Sequence, residues 1–320
     1  MLDPMSMQAQ STAAGLRAIA CGAAGRPGLA WHDCPVGTGP AIEVRDLRKR
    51  YGEAEALRGL DFRVDRGEVY GLLGPNGAGK TTTVEILEGH RERTSGDVWV
   101  LGHDPQRRAR ELRERVGIVL QSCGMFPNVR VREALEHWAG LYPKPRDVGE
   151  VIALAGLSGK EHERTSRLSG GQLRRLDFAL ALVGDPELIF LDEPTTGFDP
   201  VARRQAWATI RSLRDLGKTV LLTTHYLDEA QALADRVAIV KDGRILAEGR
   251  PEELGVGDGA RYRVAYRGPD GELVEQVTED PTSLLHGLTG AALDRGERLE
   301  GLSVTRPTLE EIYLELTADE

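Results

Sequence analysis

The chain has 320 residues, a length that favours two domains or one large domain with appendages. Its 40% hydrophobic and 28% charged residues are ordinary for a globular protein and supply enough apolar material for a core. The net charge of −9 gives no general attraction to nucleic acid, so no nucleic-acid partner is expected. The three cysteines, Cys21, Cys34 and Cys123, lack metal-ligand spacing, which predicts neither a disulfide framework nor a zinc site.

Residues 1–40 are the first segment of the chain. They are rich in alanine and glycine, but Arg17 and Arg26 interrupt the apolar run, which argues against a signal peptide. The segment is expected to be a disordered extension or an over-long start, since Met5 and Met7 are also possible first residues. No stretch of the whole chain approaches the roughly 18–20 apolar residues that span a bilayer. A cytoplasmic protein is therefore expected.

Two short segments of alternating polarity begin the folded region. They are Ile42-Glu43-Val44 and Phe62-Arg63-Val64, and they predict half-exposed antiparallel strands on either side of a turn at Tyr51-Gly52. The polar stretch from residue 91 to residue 115 is typical of an insertion.

A glycine-rich loop follows the apolar run 69–73, which reads as a buried strand. The loop matches the phosphate-binding pattern G-x-x-x-x-G-K-[ST] with Gly74, Pro75, Asn76, Gly77, Ala78, Gly79, Lys80 and Thr81, and a helical stretch to Leu87 follows it. Such a loop directs backbone N–H groups and a helix N-terminus at a polyphosphate. Lys80 can reach the terminal phosphates, and the Thr81 hydroxyl can bind Mg²⁺. The loop predicts binding of a nucleoside triphosphate with magnesium.

Strands and helices alternate along the middle of the chain. Apolar runs at 116–120, 188–191 and 219–224 predict buried strands, and the charged periodic region 131–164 predicts a helical subdomain. This alternation favours a mainly parallel sheet with crossover helices. The dipeptide Asp242-Gly243 between two further apolar runs predicts a hairpin.

The strand 188–191 ends in two acids, Asp192 and Glu193. Because ligands collect at the carboxyl ends of parallel strands, both side chains are expected to face the phosphates. Asp192 is suited to hold magnesium, and Glu193 is suited to orient and deprotonate an attacking water.

A second glycine turn, Leu168-Ser169-Gly170-Gly171-Gln172, opens another helix. A capped helix start with exposed N–H groups can bind an anion, which predicts a second phosphate site. Taken alone, the turn is more typical of a plain N-capped helix, but its combination with the flanking motifs favours the phosphate site.

Residues 255–260, with three glycines in six positions, indicate a linker to a small C-terminal unit. We predict strands at 262–266 and 272–277, a helix at 281–288 and a final helix at 308–316. Thr308 and Glu311 form a capping box for the last helix.

Taken in chain order, these elements resemble those of ATP-binding-cassette (ABC) ATPases over residues 41–250. The likeness rests on the phosphate loop, Gln121, the Ser-Gly-Gly turn, the strand ending in Glu193, the 197–200 segment and His225. It implies an α/β P-loop NTPase cassette at 41–254. Such a cassette has a mainly parallel sheet, an antiparallel β subdomain and a helical subdomain at about 122–175. A small α+β C-terminal domain at 261–320 follows.

The same resemblance implies ATP and Mg²⁺ as cofactors and a role for each matching residue. Tyr51 would stack on adenine, and Thr82 would join the phosphate loop in binding the nucleotide. Catalytic roles fall on Lys80, on Glu193 as general base and on His225, which would contact the γ-phosphate. The implied magnesium ligands are Thr81, Gln121 and Asp192.

The resemblance further implies a head-to-tail dimer, either a homodimer or a pair with another cassette. Each nucleotide would lie between the phosphate loop of one chain and the Ser-Gly-Gly turn of the other. The residues that would serve the partner's nucleotide are Ser169, Gly170, Gly171 and Gln172, while Asp199 would lie in a loop that communicates across the dimer. Phe198 stands where the family more often has leucine, which makes the local packing different.

Shorter motifs at 86–89, 195–197, 226–230 and 306–316 are similar to those of ATPase subunits of bacterial drug exporters of the daunorubicin-resistance type. This likeness implies a subunit that powers a separate transmembrane permease from the inner face of the plasma membrane, exporting a drug-like or lipid-like compound. Phe126 and Pro127 would then contact the permease, or simply pack at the start of a helix.

Two other functions are compatible with the cassette motifs. One is a non-transport cassette ATPase acting in DNA repair, chromosome maintenance or translation, and the other is an ATP-sensing regulator. The first class usually carries coiled coils, zinc modules or two cassettes, and the sequence has no sustained heptads, no cysteine cluster and only one phosphate loop. The regulator is disfavoured by Glu193 and His225.

Overall fold

The computed structural model describes residues 39–119, 128–254, 262–268, 270–306 and 308–317. Several predictions made from the sequence lie outside these ranges. They concern the extension before residue 39, the linker 255–260, the ligand Gln121, and the permease-facing pair Phe126 and Pro127.

The amino-terminal part of the cassette is a three-stranded antiparallel sheet. Its strands are β1 (Ile42–Tyr51), β2 (Ala54–Val64) and β4 (Ser95–Val100), in the order β2-β1-β4. The predicted pairing of the first two strands is confirmed, with Ile42 opposite Val64. Strand β4 lies in the stretch that the sequence suggested was a polar insertion. Its outer half is polar, but Val98 and Val100 are buried against the core.

A six-stranded sheet forms the centre of the cassette. Its strands are β3 (Val69–Leu73), β5 (Val116–Val119), β6 (Leu188–Asp192), β7 (Thr219–Thr224), β8 (Arg236–Lys241) and β9 (Arg244–Gly249). Their order is β5-β6-β7-β3-β8-β9, and all neighbours are parallel except the hairpin β8-β9. The mainly parallel sheet and the hairpin are therefore confirmed. Since β7 lies between β3 and β6, the phosphate loop and the acid-bearing strand end at the same edge, one strand apart.

Some helices pack on the two faces of this sheet, and three helices also pack against one another in an apolar cluster of their own. The main helices of the cassette are Lys80–Leu87, Val131–Ala139, Val148–Leu154, Gly170–Leu182, Pro200–Asp215 and Leu227–Leu233, and a one-turn helix, Arg110–Arg113, precedes β5. Leu135, Ile152 and Leu176 belong to one apolar cluster that joins three of these helices into the helical subdomain. On the sheet, Tyr70 stacks on Phe62 of the antiparallel sheet with ring centroids 5.6 Å apart, which ties the two sheets together.

The C-terminal unit contains the sheet β11-β10-β12, formed by β10 (Tyr262–Arg267), β11 (Leu273–Thr278) and β12 (Ser303–Thr305). The helix Pro281–Asp294 extends two turns beyond the range expected from the sequence, through Gly290. Strand β12 was not predicted, because a three-residue exposed strand leaves little pattern to detect.

The last helix, Leu309–Thr317, returns to the cassette. Leu309 and Ile312 share an apolar cluster with Leu73 and Ile239 of the central sheet, and Lys241 Nζ donates to the carbonyl of Thr317 at 2.9 Å. The predicted capping box is present, since the backbone N–H of Thr308 donates to Glu311 at 2.9 Å. This helix therefore packs beneath the strand that leads into the phosphate loop.

Within the ranges that the structure describes, no helix combines the length and the apolar content needed to cross a membrane.

Candidate functional site

The phosphate loop is held in place by close backbone packing. A Cβ atom at Gly74 would lie 2.2 Å from the carbonyl oxygen of Val240, and one at Gly79 would lie 2.5 Å from Leu57. Gly79 also has a φ of +102°, which disfavours any L side chain. The loop is tied to the hairpin turn by the N–H of Gly243, which donates to Ala78 O at 3.1 Å. The glycines at 74 and 79 are thus required by the chain's own packing.

Lys80 lies folded over this loop and is buried. Its Nζ donates to the carbonyls of Gly74 at 2.7 Å and Pro75 at 3.1 Å, and it lies 3.6 Å from Glu193 Oε1. Burial lowers the pKa of Lys80, while the charge of Glu193 opposes that shift. The ammonium group is therefore positioned between the loop and the acid on β6.

Asp192 ends β6 and receives two hydroxyl groups. Thr223 on the neighbouring strand donates to Asp192 Oδ1 at 2.5 Å, and Thr81 at the start of the helix after the phosphate loop lies 3.5 Å from the same oxygen. Thr223 Oγ1 also accepts the backbone N–H of Glu193 at 2.9 Å. A threonine at the end of β7 thus fixes both acids, a role that the sequence analysis missed. The available signal was the threonine near the end of the apolar run 219–224, because neighbouring parallel strands place such a hydroxyl beside the acids that end the strand 188–191.

Glu193 lies between two cationic or proton-carrying groups. Its Oε1 is 3.6 Å from Lys80 Nζ and 3.3 Å from His225 Nδ1, although the latter pair is not aligned as a hydrogen bond. The hydroxyl of Thr196 donates to Glu193 Oε2 at 3.0 Å. The backbone of Glu193 has a φ of +45°, an uncommon conformation for this residue type, and such strain persists only where surrounding contacts impose it.

The Ser-Gly-Gly turn caps the helix Gly170–Leu182. The Ser169 hydroxyl accepts the N–H of Gln172 at 3.3 Å, and the Gln172 side chain accepts the N–H of Ser169 at 3.0 Å, which completes a capping box. At Gly170 and Gly171 an added Cβ would meet nothing within 4 Å, and neither residue has a positive φ. The packing of this chain therefore does not require glycine at either position.

A cleft of about 170 Å³ separates this helix from the loop after Glu193. Across it, Arg174 Nε donates to the carbonyl of Pro194 at 3.3 Å, and Arg174 is buried. Phe198, the residue that departs from the family pattern, lines the same cleft.

Two other predicted residues lie on the surface. Tyr51 ends β1 and is 42% exposed, with Lys49 Nζ 5.1 Å and Arg91 Cζ 5.3 Å from its ring centroid. Asp199 caps the helix Pro200–Asp215 by accepting the N–H groups of Ala202 and Val201, and these bonds lower its pKa.

The structure brings Lys80, Thr81, Asp192, Glu193 and His225 together at one edge of the sheet. Thr82 is half-buried in the first turn of the adjoining helix. Among the described residues, no hydrogen bond or ion pair joins Tyr51, Asp199 or the turn 169–172 to that group. Direct contacts thus join only part of the predicted site, although Gly170 of the Ser-Gly-Gly turn lines the same cleft as Glu193.

The sequence was compared with known proteins. Residues 57–196 match the model of the family described as ABC transporter. The daunorubicin resistance ATP-binding protein DrrA3 of Streptomyces coeruleorubidus is 39% identical over 305 residues, which cover 88% of this chain and 96% of that protein. The Nod factor export ATP-binding protein I of Burkholderia orbicola is 44% identical over 218 residues, covering 67% of this chain and 72% of that protein.

Solved structures with the same fold include two ABC cassettes. The structure of cbiO1 from Clostridium perfringens, part of the ABC transporter complex cbiONQ, has a TM-score of 0.61 at 29% identity, covering 67% of this chain and 90% of that one. A bacterial ABC transporter cassette solved as a dimer has a TM-score of 0.58 at 25% identity, covering 65% of this chain and 98% of that one.

Proposed function

The chain belongs to the family of ABC transporter ATP-binding proteins, which hydrolyse ATP in transport, and on that premise we propose how its own residues divide the work. One group binds and cleaves ATP within the chain. The other completes the site of a second cassette, so that paired cassettes drive a separate membrane permease.

The observation that carries this proposal is the position of Glu193 Oε1, 3.6 Å from Lys80 Nζ and 3.3 Å from His225 Nδ1. A carboxylate there is suited to accept a proton from a water that attacks the terminal phosphate. Lys80 now donates to two carbonyls of its own loop, and a bound triphosphate would take over those donors. His225 would donate to the γ-phosphate and orient it.

Magnesium fits the donor set beside this group. The Thr81 hydroxyl and the Asp192 carboxylate lie 3.5 Å apart, and both are the oxygen ligands that Mg²⁺ prefers, together with phosphate oxygens. Gln121 would be a third protein ligand by family resemblance. When bound, the ion would offset the negative charge that builds up on the phosphates during transfer.

Pairing with a second cassette explains the glycines at 170 and 171. Glycine is a poor helix former, and here neither packing nor φ within the chain requires it at either position. The absence of side chains leaves room for a group from outside the chain to approach the helix N-terminus. We assign that place to the triphosphate held by the partner cassette, in a homodimer or in a pair with another cassette.

Export of a drug-like or lipid-like compound is the transport function that the relatives favour. One is named for daunorubicin resistance and another for Nod factor export. The chain would then lie at the inner face of the plasma membrane, attached through its permease.

The test is ATP turnover by the full chain with Glu193→Gln. Removing a general base should lower kcat by on the order of 10²–10⁴-fold while ATP binding persists. The matched control is Glu187→Gln, which changes an acid just before the other end of the same strand and should leave kcat unchanged. A Glu193→Gln protein with wild-type kcat would reject the assigned role. Co-purification with a multi-span membrane protein tests the permease partner.

A further inference from the structure

Glu229 is a fully buried acid that the scheme above does not use. It lies in the helix Leu227–Leu233, four residues after His225, and its exposed fraction is 0%. Its Oε1 accepts the Thr195 hydroxyl at 2.8 Å and the Trp207 indole N–H at 3.1 Å. Its Oε2 has no hydrogen-bond partner among the described residues. Burying a carboxyl group with one unsatisfied oxygen costs free energy, so the presence of an acid at this position needs an explanation.

The two hydrogen-bond partners of Glu229 lie on either side of the 193–199 loop, one near its start and the other on the helix after it. Thr195, also 0% exposed, lies two residues after Glu193, and Trp207 lies on the helix that Asp199 caps. Through its single Oε1 atom, Glu229 therefore joins the start of the 193–199 loop to the helix that follows it.

Thr195 belongs to two overlapping turns of the backbone. The N–H of Thr196 donates to Glu193 O at 3.2 Å, and the N–H of Phe198 donates to Thr195 O at 3.1 Å. The Thr196 side chain in turn donates to the Glu193 carboxylate at 3.0 Å. A shift of Thr195 would therefore move Thr196 and release the strained backbone of Glu193, whose φ is +45°.

We infer that Glu229 is a positioning residue for ATP hydrolysis: its buried carboxylate fixes Thr195 and thereby holds the Glu193 carboxylate beside Lys80 and His225. This inference rests on the proposed role of Glu193. A side-chain oxygen suits the task because both donors, the Thr195 hydroxyl and the Trp207 indole N–H, converge on one atom. Misplacing a catalytic group by about 1 Å can cost on the order of 10²-fold in rate.

The experiment measures kcat and KM for Mg-ATP on the full chain. Glu229→Ala is expected to lower kcat about tenfold or more and to change KM by less than about twofold, because the phosphate loop is untouched. Glu229→Gln should retain kcat within about threefold, since its amide oxygen can accept both bonds.

Thr195→Val is the second variant, because Glu229→Ala leaves two buried donors unpaired and can impair folding. Valine removes the hydroxyl with little change in shape and should lower kcat to a similar extent. If the two residues act through one bond, the double variant Glu229→Ala/Thr195→Val is no slower than the slower single variant. Glu187→Gln serves as the control for a lost carboxylate.

The inference is overturned if both single variants keep wild-type kcat per folded molecule, with the folded fraction measured by thermal unfolding, or if their effects simply add. Glu193→Gln separates this result from a failure of the proposed function. If Glu193→Gln is inactive while Glu229→Ala and Thr195→Val retain kcat, only the positioning role fails. If Glu193→Gln keeps wild-type kcat, the proposed role of Glu193 fails and the positioning role fails with it.

Discussion

The phosphate loop and the Ser-Gly-Gly turn both contain glycines at the start of a helix, but for different physical reasons. At Gly74 and Gly79, an added Cβ would collide with atoms of this chain at 2.2 Å and 2.5 Å. At Gly170 and Gly171, it would meet nothing within 4 Å. Packing within the chain explains the first pair of glycines but not the second, for which we propose a group that approaches from outside the chain.

The polar groups of the two regions differ in the same way. Lys80 is buried and bonded to its own loop, and it lies within reach of Glu193. Ser169 and Gly170 are exposed, and the bonds of Ser169 end within its own turn. Lys80 is thus held by contacts within the chain, whereas the exposed Ser-Gly-Gly turn is the surface that we propose for a partner. Substitutions in the two regions should therefore have different consequences.

Substitution in the phosphate loop should damage the chain itself. In Gly74→Ala the new methyl group would face the Val240 carbonyl, a backbone atom that cannot turn away. We expect a loss of about 3 kcal/mol in the free energy of unfolding, together with loss of ATP binding, measured by urea denaturation and nucleotide titration. If this variant kept wild-type stability and ATP affinity, a steric requirement for glycine at position 74 would be contradicted.

A glycine-to-alanine substitution in the Ser-Gly-Gly turn should leave the stability of the single chain intact but lower ATP turnover by the paired cassettes. Gly171→Ala is expected to leave the free energy of unfolding unchanged, or to raise it by less than about 1 kcal/mol, because alanine favours helix. ATP affinity of the single chain should also be unchanged. Turnover should fall about tenfold, because the methyl group would obstruct the partner's nucleotide. Undiminished turnover would show that the turn serves its own chain only.

Ser169→Ala separates helix capping from nucleotide binding at this turn. Loss of the N-cap bond to Gln172 should cost about 1 kcal/mol in the free energy of unfolding. If capping were the only role of Ser169, adding a stabilising substitution elsewhere would restore turnover. We expect turnover to stay low after stability is restored, as measured by ATP hydrolysis at matched folded fraction.

The smallest effect is expected just before the amino end of β6, far from either glycine turn. Arg115 and Arg66 bond Glu187 and lower its pKa to about 2. A depressed carboxyl pKa stabilises the folded state above the unfolded value of about 4.3, and this contribution is lost as pH falls toward 2. Because Glu187 is 43% exposed, Glu187→Gln should cost less than about 1 kcal/mol at pH 7.

The stability difference between wild type and Glu187→Gln should shrink as the pH falls from about 4 through about 2, as urea denaturation across the pH range can measure. A difference that stays constant with pH would show that the Glu187 charge is not what stabilises this end of the strand.

The features predicted best from the sequence are those set by residues close together in the chain. The phosphate loop, the strand ending in Asp192 and the hairpin at Asp242-Gly243 each carry a local pattern, and all three are present. Strand β4 was missed because its pairing with β1 joins residues about 50 positions apart and its first residues are polar. The helix Pro281–Asp294 runs six residues past its predicted end at residue 288. Gly290 is a poor helix former, so the local pattern does not indicate that the helix continues through it.

Contacts between distant side chains could not be predicted from any pattern. The motif around Glu229 was noticed only as a family likeness, whereas its role depends on Thr195 and Trp207, which lie 34 and 22 residues away in the chain. The packing of Leu309 and Ile312 under the phosphate-loop strand likewise joins residues more than 200 positions apart. In both cases an ordinary helix position becomes informative only through what the fold places beside it.

The most direct test of the central claim is the molecular mass of the full-length Glu193→Gln protein in solution, measured with and without Mg-ATP. Because this variant should bind ATP without cleaving it, we predict monomers without nucleotide and dimers with it. Adding Gly171→Asp, which places a negative charge where the partner's phosphates would lie, should return the protein to monomers while ATP still binds. A Glu193→Gln protein that binds ATP but stays monomeric, or a dimer that Gly171→Asp does not disturb, would contradict a site shared between two chains.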